Sequence, residues 1–188
     1  MKKKSLSAKK IIHRNFNFKK ILKDKKIFEV YKNFEINLKN LKNLDKIAVA
    51  VSGGPDSLAL CFLIACYKLK RNAKILPYFF LIDHGLRDNS HKEATSVKNI
   101  LKSKKLDLKI LKWKGKKPTS NLQNIARKKR YELLFKECEK SNIRVILTGH
   151  HQDDIYETFF SRLLRGSGTE GLSSFAKIEN QFNFKNKK

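Results

Sequence analysis

The sequence predicts a doubly wound α/β domain, a parallel sheet with helices on both faces. Short, β-rich apolar runs alternate with helix-length segments through the middle of the chain. The first of these runs, Lys46 to Val51, is apolar after its opening lysine rather than at every second residue, as expected of a strand covered on both sides. Three glycine-containing polar motifs each follow such a run directly, where open α/β sheets place their ligands.

The elements follow in order. Residues 1 to about 25 are Lys-rich without a period and read as a basic arm, mobile or loosely helical. From Ile27, the residues Tyr31, Phe34, Leu38 and Leu41 recur at steps of three and four, one stripe on a helix ending near Leu44. Lys46 to Val51 (KIAVAV) reads as a buried parallel strand, followed by SGGPDS and an apolar helix from about Ser57 to Lys70. A second strand, Ile75 to Ile82, runs into the turn Asp83-His84-Gly85-Leu86-Arg87. Ser90 to Ser103 fits a helix with Ser90 as N-cap and Glu93 three residues on, a capping-box spacing. Leu106 to Leu111 is a third strand, and a Gly- and Pro-containing loop continues through Ser120.

Asn121 to Lys140 reads as an amphipathic helix carrying Leu122, Ile125, Leu133 and Leu134. A fourth strand, Arg144 to Leu147, leads into Thr148-Gly149-His150-His151-Gln152-Asp153-Asp154. A helix over about Asp153 to Leu164 stops at Arg165-Gly166-Ser167-Gly168. From Ser173 the pattern fades into Asn- and Lys-rich sequence, which suggests a truncation or a missing module. The organisation expected is a basic arm with one helix over 1–45, a catalytic domain over 46–172, and a polar tail over 173–188.

Composition sets bounds on function. The 188 residues suffice for one domain with a real core, and a 40% apolar fraction fits a globular chain. Nothing approaches the ~18 consecutive apolar residues of a membrane span, and no apolar run follows the basic start as in a secretory leader. Cys61, Cys66 and Cys138 form no CxxC or metal-type cluster, and their odd number points to reduced thiols in a cytoplasmic compartment. The net charge of +26 attracts polyanions. Because the excess is mostly Lys in a sequence also rich in Asn, Ile and Phe, codon bias is an equal explanation of the charge.

The strongest chemical signal is the strand–SGGPDS–helix unit. Gly53 and Gly54 let the backbone turn tightly and approach a ligand, and the following helix aims its N-terminal amides and positive dipole end at the loop. Ser52 and Ser57 add hydroxyl donors, and Pro55 opens the helix. The loop is not a Walker A motif, since GxxxxGK[ST] and its Lys are absent. Asp56 would repel phosphates unless a Mg2+ ion bridged them. The ordinary alternative is a turn with Asp56 starting a helix.

In the fourth-strand motif, Asp153, Asp154 and Glu157 share a helical face able to hold Mg2+ or a substrate ammonium, or simply to favour a helix N-terminus. Arg127 and Arg130, three apart, either neutralise phosphate charge or belong to a solvated basic face. His84 and Arg87 either line a nucleotide pocket or lie on the surface. Trp113 reads as packing.

These motifs, SGGPDS, DHGLR-x-x-S-x-x-E-A, N-x-x-x-x-A-R-x-x-R-Y and GHHQDD-x-x-E-T followed by RLLRGSG-x-x-GL, resemble in order those of the tRNA(Ile)-lysidine synthase family, within the PP-loop superfamily of N-type ATP pyrophosphatases. The likeness covers about Lys46 to Leu172. It implies a Rossmann-like, adenine nucleotide alpha hydrolase-like fold and two cofactors, ATP and Mg2+. The partners implied are an isoleucine tRNA with a CAU anticodon and free L-lysine, with homodimer formation left open and no membrane.

The implied reaction adenylates the C2 oxygen of the wobble cytidine and releases pyrophosphate. The lysine ε-amine then displaces AMP to give lysidine, which pairs with A rather than G and moves decoding from AUG to AUA. The resemblance makes Ser52, Gly53, Gly54, Pro55, Asp56 and Ser57 the ATP loop, with Asp56 on the metal. It makes Arg130 the catalytic arginine with Arg127 as fallback, and Asp154 and Glu157 the acidic pair for lysine and catalysis. His84, Arg87, His150 and Asp153 become pocket residues. Full members of the family continue past RGSG-x-x-GL into further parts that grip tRNA. A PP-loop thiolase, or a nucleotide- or RNA-binding module without activity, are the alternatives.

Overall fold

The computed structural model describes residues 22–41, 44–71, 74–115, 117–118 and 120–149. These belong to one compact unit ending at Gly149. Their order is α1 (Lys25–Lys39), β1 (Lys46–Val51), α2 (Pro55–Lys70), β2 (Leu76–Asp83), α3 (Ser90–Ser103), β3 (Leu108–Lys112), α4 (Leu122–Lys140) and β4 (Val145–Thr148). The strands form a parallel sheet in the order β3-β2-β1-β4.

Alternation along β1 divides the core. Ile47, Val49 and Val51 pack with Ile64 and Cys61 of α2 and Leu101 of α3. Ala48 faces the other way, packing with Phe80 and with Leu134 and Cys138 of α4. Both faces of the sheet are therefore covered, which is why β1 reads as an unbroken apolar run. The chain winds outward from β1 through β2 to β3, then crosses back by way of α4 to the other side of β1. The sequence order reverses between β1 and β4, and that switch point sits at the carboxyl ends of the strands.

Helix α1, expected within the 1–45 segment, places Tyr31 and Leu38 in the core that the sheet shares with α2. Glu35, on the same face as Tyr31, is buried and bound by Arg71 from the end of α2 through two hydrogen bonds of 2.6 and 2.8 Å. Tyr31 also donates to it at 3.1 Å. The Arg71 hydrogen bonds hold the Glu35 carboxyl at about 2, well below the ordinary carboxylate value. Because the folded value lies below the unfolded one, this contribution is complete above the ordinary carboxylate range and disappears as pH falls from there towards 2. Glu35→Ala is expected to lower the melting temperature by roughly 5 °C at neutral pH and to make unfolding less pH-dependent between pH 5 and 3, as read by thermal melts across that range. A neutral-pH melt matching the unsubstituted chain would show that α1 is not fastened by this pair.

Two local expectations are corrected. The capping box on α3 does not form: Asn89 is the N-cap residue, without a side-chain cap bond, and Ser90 donates instead to Asp83 at 3.0 Å. A buried carboxylate at the end of β2 needs donors, and it takes this hydroxyl from the helix. On α4, Leu122 and Ile125 are exposed, and the inward stripe is Ala126, Leu134 and Cys138. No described helix is long and apolar enough to cross a membrane.

Candidate active site

The first strand ends at Val51 and hands over to a loop at Ser52–Gly54 before α2 begins at Pro55. Gly53 carries the turn: its φ is +91°, and a Cβ there would lie 2.9 Å from Val97 Cγ2 of α3. Gly54 has ordinary extended angles, φ −72° and ψ 162°, and room for a Cβ 3.5 Å from Ser52 Oγ. The backbone itself therefore demands glycine at Gly53 alone of this pair. Pro55 fits the first helical position, where no amide hydrogen is required. No side chain caps the N-terminus of α2, so its dipole end is directed at the loop.

The two serines brace this loop rather than reach out of it. Ser57 is buried; its hydroxyl donates to the Gly54 carbonyl at 2.9 Å and accepts from the Ser52 amide at 3.2 Å and the Ser52 hydroxyl at 3.1 Å. The Gly54 amide in turn donates to Ser52 Oγ at 3.3 Å. Both hydroxyl protons are used inside the loop, where the sequence suggested ligand donors. Asp56 stands exposed in the first turn of α2.

The end of β4 meets the same helix. Ala50 pairs with Thr148, so Gly149 follows directly at the switch point. A Cβ on Gly149 would lie 2.7 Å from Ser57 N, 2.8 Å from Ser57 Cα and 3.0 Å from the Asp56 carbonyl carbon. All three are backbone atoms that cannot rotate away. Gly149 was missed as a site residue, although a glycine directly after a strand and before a polar motif is a signal of close backbone approach.

A second group forms at the end of β2. Asp83, also missed by sequence reasoning, is buried and accepts from the Gly85 amide and Ser90 hydroxyl, both at 3.0 Å, and faces His91 Nδ1 at 3.2 Å. Burial opposes its charge, but hydrogen bonds from Ser90, Gly85 and His91 prevail and hold its carboxyl below the ordinary value. The turn is thereby fixed with His84 facing inward. Arg130 Nε donates a long hydrogen bond to His84 Nε2 at 3.5 Å, and Trp113 meets the His84 ring edge-on at 6.1 Å. Burial, then the charges of Arg130 and Lys117, push His84 below its ordinary value and favour its neutral form. With Nε2 accepting, the ring proton belongs on Nδ1, which is buried without a partner among the described residues.

Arg130 and Arg127 are separated by the geometry of α4. Ala126, Arg130, Leu134 and Cys138 recur every four residues, so Arg130 lies on the inward stripe and reaches the strand ends. Arg127 is exposed, with its guanidinium 5.9 Å from the Tyr131 ring centre. Arg87 is also exposed, 3.8 Å from Glu93. His150, Asp153, Asp154 and Glu157, together with the expected helix over 153–164, lie outside the described residues.

All three cysteines are buried, Cys61 and Cys66 on one side of the sheet and Cys138 on the other. Burial pushes their thiols up, Cys61 to about 12 and Cys66 and Cys138 to about 11, which leaves them as inert thiols.

Known proteins resemble this chain in sequence and in fold. It is 48% identical over 129 residues to a tRNA(Ile)-lysidine synthase of Orientia tsutsugamushi, covering 69% of this chain and 29% of that protein. A tRNA(Ile)-lysidine synthase of Rickettsia bellii is 43% identical over 148 residues, 77% of this chain and 34% of that protein. One of Wolbachia pipientis is 44% identical over 133 residues, 69% of this chain and 30% of that protein. The chain thus spans about a third of the length of these curated relatives. Among solved structures, the U34-tRNA thiolase NcsA of Methanococcus maripaludis, with its [4Fe-4S] cluster, superposes with a TM-score of 0.64 at 19% identity, covering 74% of this chain and 51% of that one. That likeness concerns the fold. A family model described as PP-loop domain matches residues 23–186, and with that match laid over a glycine loop at the switch point of a parallel sheet, the chain belongs to the PP-loop family.

Proposed function

We propose that this chain is the ATP-using catalytic part of a tRNA(Ile)-lysidine synthase. The observation that carries the reading is its 43–48% identity to proteins of that name, and a glycine loop before the uncapped N-terminus of α2 supports it. ATP would lie with its phosphates against the N-terminus of α2, where the first-turn amides and the helix dipole favour negative charge. Asp56 would hold a Mg2+ ion accompanying the triphosphate, and that ion would offset phosphate charge. The fit rests on chemistry and position: Asp56 is an exposed carboxylate in the first turn of α2, beside the loop, where a hard cation takes oxygen ligands.

In the first step the C2 oxygen of the wobble cytidine attacks the α-phosphorus, forming a P–O bond as pyrophosphate leaves. In the second, the neutral ε-amine of lysine forms a bond to C2, AMP departs with the oxygen, and the amine gives up its extra proton to a base. Activation is needed because the oxygen alone is a poor leaving group, and each ~1.4 kcal/mol taken from that barrier is tenfold in rate. Arg130 would stabilise the phosphate charge that develops in the first step, oriented by neutral His84. His84 Nδ1–H would donate to a substrate acceptor, which would satisfy an otherwise unpartnered buried group. By the family resemblance, Asp154 and Glu157 would receive lysine. Three buried, reduced cysteines accord with a cytoplasmic setting.

The test is incorporation of radiolabelled lysine into an isoleucine tRNA transcript with a CAU anticodon, dependent on ATP and yielding AMP. ATP-dependent label in this tRNA, but not in one with a different wobble base, is the expected result. Sulfur transfer in place of lysine would move the reading to a thiolase. The placement of the three cysteines in two separate cores argues against that outcome, since they cannot share a cluster.

A further inference from the structure

Beyond the loop, the outer flank of the sheet carries a second charged feature. β3 is the end strand on its side among the described residues, and with α4 it bounds an open groove. Leu111 and Leu133 line its floor, and Lys112, Lys114, Lys136 and Lys140 rim it. The carboxylate in the lining, Glu137, is paired with Lys109 at 2.6 Å, so it does not cancel the rim. Leu133, Lys136 and Lys140 are spaced by three and four and share a face of α4. All four rim lysines are exposed.

Lys112 and Lys114 of the rim flank Trp113, which lies beside the strand-end site. The Trp113 amide, between Lys112 and Lys114, donates to the Asp83 carbonyl at 2.9 Å, tying the start of the groove to the turn that carries His84. Lys117 extends the basic line, with its ammonium 4.0 Å from the Trp113 ring centre. On α4, Arg130 lies one turn before Leu133.

We propose that this groove seats the sugar–phosphate backbone of the tRNA, leading it along the sheet edge from the site where the target base reacts. The inference rests on the tRNA reading above and says where the polyanion runs. Lysines on long stems suit this task as mobile point charges, and the lining's four Lys and one paired Glu include no amide side chain to read base edges, so recognition there is of backbone. Lysines on an edge strand also discourage edge-to-edge pairing of sheets, a role that any charge fulfils. Charge reversal separates the two, since Glu still guards an edge but repels phosphate.

The experiment measures binding of a labelled, unmodified isoleucine tRNA transcript to the full 188-residue chain over a range of KCl concentrations. The paired variant Lys112→Glu/Lys136→Glu is compared with Lys92→Glu/Lys102→Glu on α3, which changes net charge equally on the opposite face of the sheet. The groove pair is expected to weaken binding at least about tenfold and to reduce the slope of log affinity against log salt by about 2, with ATP binding unchanged. The α3 pair should stay within about threefold of the unsubstituted chain. Equal losses in both pairs would mean that overall charge alone attracts RNA, and an unaltered groove pair would mean that the backbone lies elsewhere; either overturns the proposal. Should the Glu pair unfold, Lys112→Gln/Lys136→Gln is read by the same slope, with a reduction of about 2 expected and no change overturning the assignment. Lysine incorporation by the unsubstituted chain is followed in parallel. If it fails while the groove effect holds, the proposed reaction falls and the RNA path stands.

Discussion

Gly149→Ala is expected to remove ATP-dependent lysine incorporation by at least about 100-fold and to destabilise the chain by about 1–3 kcal/mol. The added methyl would lie 2.7 and 2.8 Å from the Ser57 amide nitrogen and Cα, and 3.0 Å from the Asp56 carbonyl carbon. Relief cannot come from a side-chain rotation, since each of these atoms belongs to the first turn of α2. Either the end of β4 withdraws or the helix N-terminus shifts, and the loop's hydrogen bonds among Ser52, Gly54 and Ser57 shift with it. A displacement of this size at a phosphate-binding loop disturbs the alignment of the reacting atoms, while the overpacked contact lowers stability. Gly54→Ala is the control. It has ordinary backbone angles and a nearest contact of 3.5 Å, so it should melt close to the unsubstituted chain and lose ATP affinity only if a ligand occupies that space. Calorimetric ATP titration and thermal melts of the two variants separate these effects. A Gly149→Ala chain with unaltered melting and affinity would show that β4 does not clamp the helix.

The parts of this architecture that sequence made legible are those governed by local periodicity. β1 and α3 occur at the expected bounds, Lys46–Val51 and Ser90–Ser103, because one is a short apolar run ending at a glycine loop and the other a helix-length segment that begins at a polar turn. Their parallel, two-faced packing followed from alternation alone. What escaped depends on partners far away in sequence. Glu35 and Arg71 are 36 residues apart, and nothing in either neighbourhood announces the pair. Ser90 looked like a cap because its spacing to Glu93 is right, yet the buried Asp83 carboxylate is a stronger demand on its hydroxyl.

On α4 the choice between Arg127 and Arg130 was latent in the pattern Ala126, Arg130, Leu134, Cys138. The bulkier Leu122 and Ile125 drew attention to a stripe that is exposed. Of the four apolar residues read as the stripe, Leu134 is buried, and the spacing of four from it selects Arg130. The loop itself was recognisable by composition, but the division of labour inside it was not. Only the structure distinguishes Gly53, which the backbone requires, from Gly54, which it does not, and shows both serine hydroxyls turned into the loop.

Asp56→Asn should bring the second large loss, at least about 100-fold in lysine incorporation with little change in melting temperature. A carboxylate in the first turn of α2 contributes about 0.3–1 kcal/mol through the helix dipole, so its replacement by the isosteric amide leaves the fold intact. The larger consequence is electrostatic. A negative side chain at a phosphate-binding loop is unfavourable unless a cation lies between, so in the proposed arrangement Asp56 makes triphosphate binding conditional on Mg2+. The unsubstituted chain should therefore bind ATP much more tightly with Mg2+ than with a chelator present. The Asn variant should lose that difference, and without the ion it should bind ATP no worse, since the repelling charge is gone. This reversal distinguishes a metal-holding carboxylate from one that merely begins a helix, whose removal would weaken ATP binding equally in both conditions or not at all. Retention of full magnesium dependence and full lysine incorporation by Asp56→Asn would take the ion away from this residue.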